Sequence, residues 1–507
     1  MLESNSICEE TNGNDDTVNK TPMISGTRSS WVAVSSMCTA IIGVGIISLP
    51  IAFKKCGLIG GILLLSASAF VTNISLNYLV DSLNCEYIRC RRFEGGSSAD
   101  EHNQLAYQYF SYESLTHRLC GSKAGALVEL SIFVFTFGTK IAYVVAVGDI
   151  LEESVINVFE LPIGRKVITT MFWFAFMLPL SLQKTMEHLK YSSSFGLIAG
   201  CFFACVCVYE SANRLMEDGF DDSWGSAGVR LWPESFGDAL EGVSIMIFAF
   251  NVFVTIPRIY SESGPSSQGC QNFMKNATRK ATICCYVVYL SMASFAYLNY
   301  GDHTNEDVLN NFCIQDNHSV LTVSAFTLLA MKVCAAFPLF SFSCRDTIIY
   351  IISRQNKTID NNDRTVPLLR NDMIQESDDE LTNVIFLLCE DADEESEDPN
   401  IDTQPVWSRE WQMLLSFTIS STALIIGLFI PDVSFVLSLV GGTSGALLAF
   451  IMPPMFALKL GFADDRYSRM IALTLIYIGI SIAILSIFFT VRGRIVNEED
   501  DDDPCAK

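Results

Sequence analysis

Long apolar runs alternate with polar joints along most of this chain. A spanning helix needs about 20 mainly apolar residues. Eleven runs qualify, at roughly 31–51, 57–82, 124–149, 166–183, 191–210, 237–257, 281–300, 320–344, 411–431, 434–458 and 469–491. Proline or glycine marks several boundaries, as at Pro50, Gly301 and Pro431. The pairs 31–51/57–82 and 411–431/434–458 are joined by very short turns and are expected to be antiparallel neighbours. The pattern predicts an all-α membrane protein of eleven transmembrane helices. Residues 31–345 would hold helices one to eight, and 411–491 helices nine to eleven. Five crossings form an odd-numbered block, so the next five would lie upside-down relative to it, as a five-plus-five inverted repeat.

Within the first run, Thr39-Ala40-Ile41-Ile42-Gly43-Val44-Gly45-Ile46-Ile47-Ser48-Leu49-Pro50 departs from an ordinary spanning helix. Glycine frees the backbone and proline removes an amide donor. An unpaired backbone group inside a bilayer is tolerated only where it faces protein or a wet cavity. Two readings stand side by side: close packing of two helices on small residues, or a break that offers backbone groups to a ligand. The inverted repeat would require helix six to be interrupted as well. That run lacks central glycines but carries Asn251 at mid-depth and Pro257 near one end.

Composition agrees with a membrane protein: 50% of residues are hydrophobic and only 18% charged. The net charge of −23 is concentrated in the tail 1–30, the segment 346–410 and the tail 492–507. Such blocks are usually solvated and disordered, and they argue against nucleic-acid binding. The apolar patch Val384-Ile385-Phe386-Leu387-Leu388 is too short to span; it reads as an incidental part of a linker or as a docking point for unknown cytosolic partners. Most of the 33 lysines and arginines fall in regions that are inner if the N-terminus is cytosolic, which sets that orientation. Asn317-His318-Ser319, a glycosylation acceptor pattern, then lies on the outer side. The polar, acidic start cannot be a cleaved secretory signal.

No metal site is expected: the 17 cysteines sit mostly in apolar runs and there are only five histidines. No cofactor motif and no nucleophile–base constellation appears, and no phosphate-cradling glycine loop is followed by lysine. An enzyme and an ATP-driven pump are therefore both disfavoured.

The sequence Ile42-Gly43-Val44-Gly45-Ile46-Ile47-Ser48-Leu49-Pro50-Ile51-Ala52-Phe53 resembles the first-helix signature of the amino acid/auxin permease family. Phe248-Ala249-Phe250 with Pro257, Ile259-Tyr260 and Glu262 is similar to the family's sixth helix. Further likeness lies in Ala296–Asp302, in Phe337-Pro338-Leu339 with Cys344-Arg345, and in 431–454. The nearest group is the sodium-coupled neutral amino acid transporters and their vacuolar relatives. The resemblance implies an inverted-repeat transporter of the amino acid–polyamine–organocation type, with helices one and six unwound at mid-membrane. It implies an amino acid substrate whose carboxylate meets amides around Ile42, Gly43, Val44 and Gly45. The ammonium would meet carbonyls of helices one and six. Phe248, Phe250, Asn251 and Phe253 would line the side-chain pocket or gate, unless the aromatics serve only as packing. Tyr143 matches a third-helix tyrosine that could bind the carboxylate or simply join a neighbouring helix.

Two departures bear on coupling. Sodium-coupled members carry asparagine where Thr39 stands, and hydroxyls where this chain has Lys332-Val333-Cys334-Ala335-Ala336. Sodium prefers several hard oxygen ligands, so coupling through the usual site is disfavoured. An ionisable group at the bilayer centre costs about 2.5–3.5 kcal/mol even on the lenient insertion scale, and is functional by default. Lys332 is accordingly expected to take the coupling cation's place beside Thr39 and to exchange protons during the cycle. A permanent salt bridge or a snorkelling stem is the plainer alternative. Lys140, at mid-depth in helix three, is a second candidate for the proton path. Phe253 stands where related transporters often have histidine. The expected function is secondary active transport of neutral amino acids by alternating access, proton-coupled or uncoupled rather than sodium-coupled, in the plasma membrane or a vacuolar or lysosomal membrane. The alternative is an amino-acid sensor that signals through its cytosolic segments.

Overall fold

The computed structural model describes residues 30–93, 111–156, 163–182, 190–218, 228–262, 268–305, 307–308, 311, 320–362, 409–430, 432–463 and 465–497. The expected tail before Ser30, the triplet at Asn317, the patch at Val384 and the end of the chain after Asn497 lie outside the described residues. Among the described residues all regular structure is helical.

The first run does not form one helix. It divides into α1 (Ser30–Ile41) and α2 (Leu49–Cys56), with a short 3-10 turn at Val44–Ile46 between them. Pro50 sits in the first turn of α2, where its missing amide donor is not needed. Gly57 then adopts a φ of 72° to end α2, its backbone lying against Leu231 and Trp232 so closely that a side chain has no room. From there α3 (Leu58–Phe93) and α4 (Tyr112–Leu151) run well past their apolar stretches. Apolar length reports hydrocarbon thickness, whereas a helix continues wherever its polar turns meet water. Gly121, with a φ of 82°, separates a short amphipathic piece from the spanning part of α4.

The run at 166–183 stays helical but is locally widened. α5 (Arg165–Phe172) passes through a wide π turn at Trp173–Met177 into α6 (Leu178–Ser181), with Pro179 in its first turn. Beyond it come α7 (Lys190–Asp218), α8 (Phe236–Ala249), α9 (Ile256–Glu262), α10 (Gln268–Tyr300) and α11 (Val320–Asn362). α11 continues past Arg345 to Asn362, so the 346–410 insert begins as helix. The chain closes with α12 (Arg409–Phe429), α13 (Val433–Val440), two π turns at Gly441–Gly445 and Leu447–Ile451, α14 (Met452–Lys459) and α15 (Arg466–Asn497).

Nine described helical stretches are long and apolar enough to cross a membrane. The count differs from the expected eleven at two places. The run 31–51 is broken at Gly43 and Gly45 into pieces too short to qualify, and the described helix over the run 166–183 is itself short, reaching only from Arg165 to Ser181. Large apolar side chains such as Leu63, Phe70, Phe174 and Ile484 point outward, as lipid-facing positions do.

α8 is the hub. It packs against α2, α13, α15 and the π turn at Gly441–Gly445. Gly441 makes that last approach possible, because a Cβ there would stand 2.1 Å from the Ser244 carbonyl oxygen. α4 lies against α11, α12 and α13, while α10 lies against α1, α2, α3 and α7. The two broken helices are thus enclosed by unbroken ones.

Candidate functional site

α1 ends at Ile41, and the Gly43 amide turns back to bond the Ile41 carbonyl at 2.7 Å. α8 ends at Ala249, with Asn251 N bonding Phe248 O at 3.0 Å before the 3-10 turn Phe253–Thr255 leads into α9. The two breaks touch. A Cβ on Gly45 would sit 3.0 Å from Ala249 Cα and 3.4 Å from a Phe248 ring carbon. Each break leaves the last carbonyls of one half-helix and the first amides of the next without intrahelical partners. Those ends carry partial negative and positive charge respectively. A zwitterion needs both.

Around the breaks stand several of the residues singled out by sequence. Tyr143 is buried on α4, its hydroxyl 3.4 Å from where a Gly43 Cβ would lie, its ring edge-on to Phe340 at 5.3 Å. Phe248 meets Phe135 of α4 at 5.4 Å. Phe250 is fully buried against Tyr289 at 5.3 Å. Asn251 is 8% exposed; its Nδ2 donates weakly to the Gly445 carbonyl at 3.4 Å. Its Oδ1 is a buried acceptor with no partner among the described residues. Buried acceptors are nearly always paired, so Asn251 Oδ1 stands out beside the break in α8/α9. Ile42 and Val44 are both fully buried at the break.

On the other side of α1, Lys332 reaches from α11 and donates its ammonium to the Ile42 carbonyl. α7 leaves space for it with two glycines. A Cβ on Gly196 would meet the Thr39 methyl at 2.8 Å, and one on Gly200 would meet Lys332 Nζ at 2.7 Å. The Thr39 hydroxyl is turned onto its own helix, donating to Ser35 O at 2.8 Å. Thr39 and Lys332 are thus brought together beside the break, with the ammonium on the backbone oxygen and the threonine proton given to its own helix.

Lys140 is placed apart. It is wholly buried and donates to Ser420 Oγ of α12 at 2.9 Å, which continues to Ser181 Oγ at 3.2 Å. Its ammonium also lies 4.6 Å above the Phe337 ring. Phe337 is about 140° around α11 from Lys332, five residues on at 100° each, so the two lysines meet different faces of that helix. No group of three or more His, Cys, Asp or Glu side chains among the described residues could hold a metal ion.

Two participants escaped the sequence reading. Gly196 and Gly200 form a Gly-x-x-x-Gly pair in Gly196-Leu197-Ile198-Ala199-Gly200, a known mark of close helix approach that had been available. Tyr289 was not. Its hydroxyl lies 2.6 Å from the Ile41 carbonyl and 3.1 Å from the Ala249 carbonyl, and nothing in its apolar surroundings announces this.

A helical membrane bundle in which two broken helices meet end against end defines the class of transporters with discontinuous helices. A family model described as "transmembrane amino acid transporter protein" matches residues 26–492. The chain belongs to that family. It is 27% identical over 351 residues to amino acid transporter AVT6E of Arabidopsis thaliana, a match spanning 64% of this chain and 65% of that relative. Vacuolar amino acid transporter 5 of Schizosaccharomyces pombe is 25% identical over 340 residues, 67% of this chain and 73% of the relative. Sodium-coupled neutral amino acid transporter 7 of Danio rerio is 24% identical over 440 residues, 84% and 78%. In fold the chain is similar to MhsT in complex with L-phenylalanine, with a TM-score of 0.53 at 11% identity over 91% of this chain and 98% of that one. It is also similar to a Na+-coupled sialic acid symporter, at TM-score 0.50 and 11% identity over 93% and 91%.

Proposed function

We propose that this protein is a secondary active transporter of neutral amino acids that works by alternating access and is coupled to protons through Lys332. The apposed breaks in α1/α2 and α8/α9 carry the reading. The Val44 and Gly45 amides, with the Tyr143 hydroxyl, suit a carboxylate, the Gly43 amide being turned onto the Ile41 carbonyl; the carbonyls ending α1 and α8 suit an ammonium. Asn251 Oδ1 and the faces of Phe248 and Phe250 are left for the substrate's side chain. No carboxylate is among these residues, which favours neutral over cationic substrates. The eleven-helix inverted repeat, with a cytosolic N-terminus, supplies the two-sided access: the halves rock about the fixed breaks.

Lys332 does the work of a coupling cation in this scheme. Charged, it holds the Ile42 carbonyl at the negative end of α1 and fixes that half-helix against α7 and α11. Neutral, it loses the attraction and releases α1 to move. Family membership and the names of the relatives support amino acid transport, and the Lys332 ammonium on the Ile42 carbonyl beside Thr39 favours protons over sodium.

Uptake of radiolabelled neutral, cationic and anionic amino acids by the purified protein in liposomes tests the reading. Saturable uptake of neutral members is expected, with cationic ones at least ~10-fold slower, since one unpaired buried charge is worth well over the 1.4 kcal/mol that a factor of ten represents. Saturable binding without flux would instead establish the sensor.

A further inference from the structure

Tyr289 sits where the substrate's ammonium is expected, and this inference rests on the transport function proposed above. Its phenol spans the last carbonyl of α1 and the last carbonyl of α8, at 2.6 and 3.1 Å. The residue is fully buried in α10, a helix unbroken from Gln268 to Tyr300. Its ring is held edge-on to Phe250. A phenol has one proton and can satisfy one carbonyl at a time; an ammonium has three. The Ile41 carbonyl also accepts from the Gly43 amide, but the Ala249 carbonyl at the end of α8 needs a donor whenever the substrate is absent, because orphaned buried acceptors are destabilising.

We propose that Tyr289 is a built-in stand-in for the substrate's ammonium: it bridges the ends of α1 and α8 in the unloaded carrier and yields both carbonyls to an amino acid on loading. Two consequences follow from that exchange. The bridge stabilises the unloaded site and so opposes binding. It also ties the two half-helices together while the empty carrier returns across the membrane, the step that only net transport requires. Tyr289 is therefore a positioning residue whose effect depends on which step is measured.

The test compares native protein with Tyr289→Phe, which keeps the ring and its packing on Phe250, in the full chain reconstituted in liposomes. Net uptake into empty vesicles is measured beside exchange from vesicles preloaded with the same neutral amino acid. The variant is expected to lower KM and to raise the ratio of exchange to net uptake, each by roughly 3- to 10-fold, the range that the net worth of one neutral hydrogen bond supports. Its melting temperature without substrate should fall, and the rise on adding saturating substrate should exceed that of the native protein. A raised KM, or net uptake and exchange falling together, would overturn the inference and leave the functional reading standing. Native protein that neither carries nor is stabilised by any amino acid would overturn both.

Discussion

Lys332→Ala is expected to lower uptake by about one to two orders of magnitude and to flatten its dependence on external pH. The ammonium is the donor that the structure supplies to the Ile42 carbonyl. Losing the charged partner of a buried acceptor is worth about 1.5–3 kcal/mol, or roughly 10- to 150-fold at 1.4 kcal/mol per decade. Truncation also leaves a gap between the Thr39 methyl and the α7 glycines, so folding is followed separately by size-exclusion profile and melting temperature. Lys332→Arg fits poorly, because the Gly200 backbone lies close against the ammonium and a guanidinium is broader. It should rescue little. Lys332→Ala protein that folds and keeps both its rate and its pH profile would remove Lys332 from the coupling mechanism.

Gly45→Val is expected to abolish transport, while Gly43→Ala should leave a folded protein with weakened substrate binding. The contrast comes from what each glycine faces. At Gly45 the first added carbon already stands 3.0 Å from Ala249 Cα and 3.1 Å from its Cβ, and neither backbone can retreat without separating the two breaks. Overpacking of this kind costs about 1–3 kcal/mol per forced contact, and the valine branches add to it. At Gly43 the added carbon meets the Tyr143 hydroxyl at 3.4 Å, an ordinary contact, and the φ of −106° is negative. The Gly43→Ala methyl would stand between Tyr143 and the amides offered to the carboxylate. A KM raised several-fold with a melting temperature close to native is the expected result. Equal losses of stability at both positions would mean that the glycines serve packing alone.

The break in helix one was half-legible: its glycine pair fitted close packing as well as a break, and the family resemblance favoured the break. Helix six was legible only by symmetry and by resemblance: Asn251 and Pro257 bracket the interruption, yet no glycine marks it, since the chain leaves helical geometry at Phe250 and Val252 with negative φ values. The depth of Lys332 and of Lys140 could be read from their runs, and the family resemblance set Lys332 beside Thr39, but the neighbours of Lys140 could not be read. A helix presents a different face every 100°, so only packing separates a lysine at the break from one on Ser420. Tyr289 was out of reach for the same reason. Its partners are backbone carbonyls of two distant segments, and backbone acceptors leave no trace in composition.

Accumulation of a neutral amino acid in proteoliposomes, with sodium and proton gradients imposed separately at fixed membrane potential, is the most direct test. Accumulation should follow the proton gradient, be lost in Lys332→Ala, and be unchanged when sodium is replaced on both sides by potassium. Accumulation driven by the sodium gradient alone, and indifferent to pH, would contradict the account.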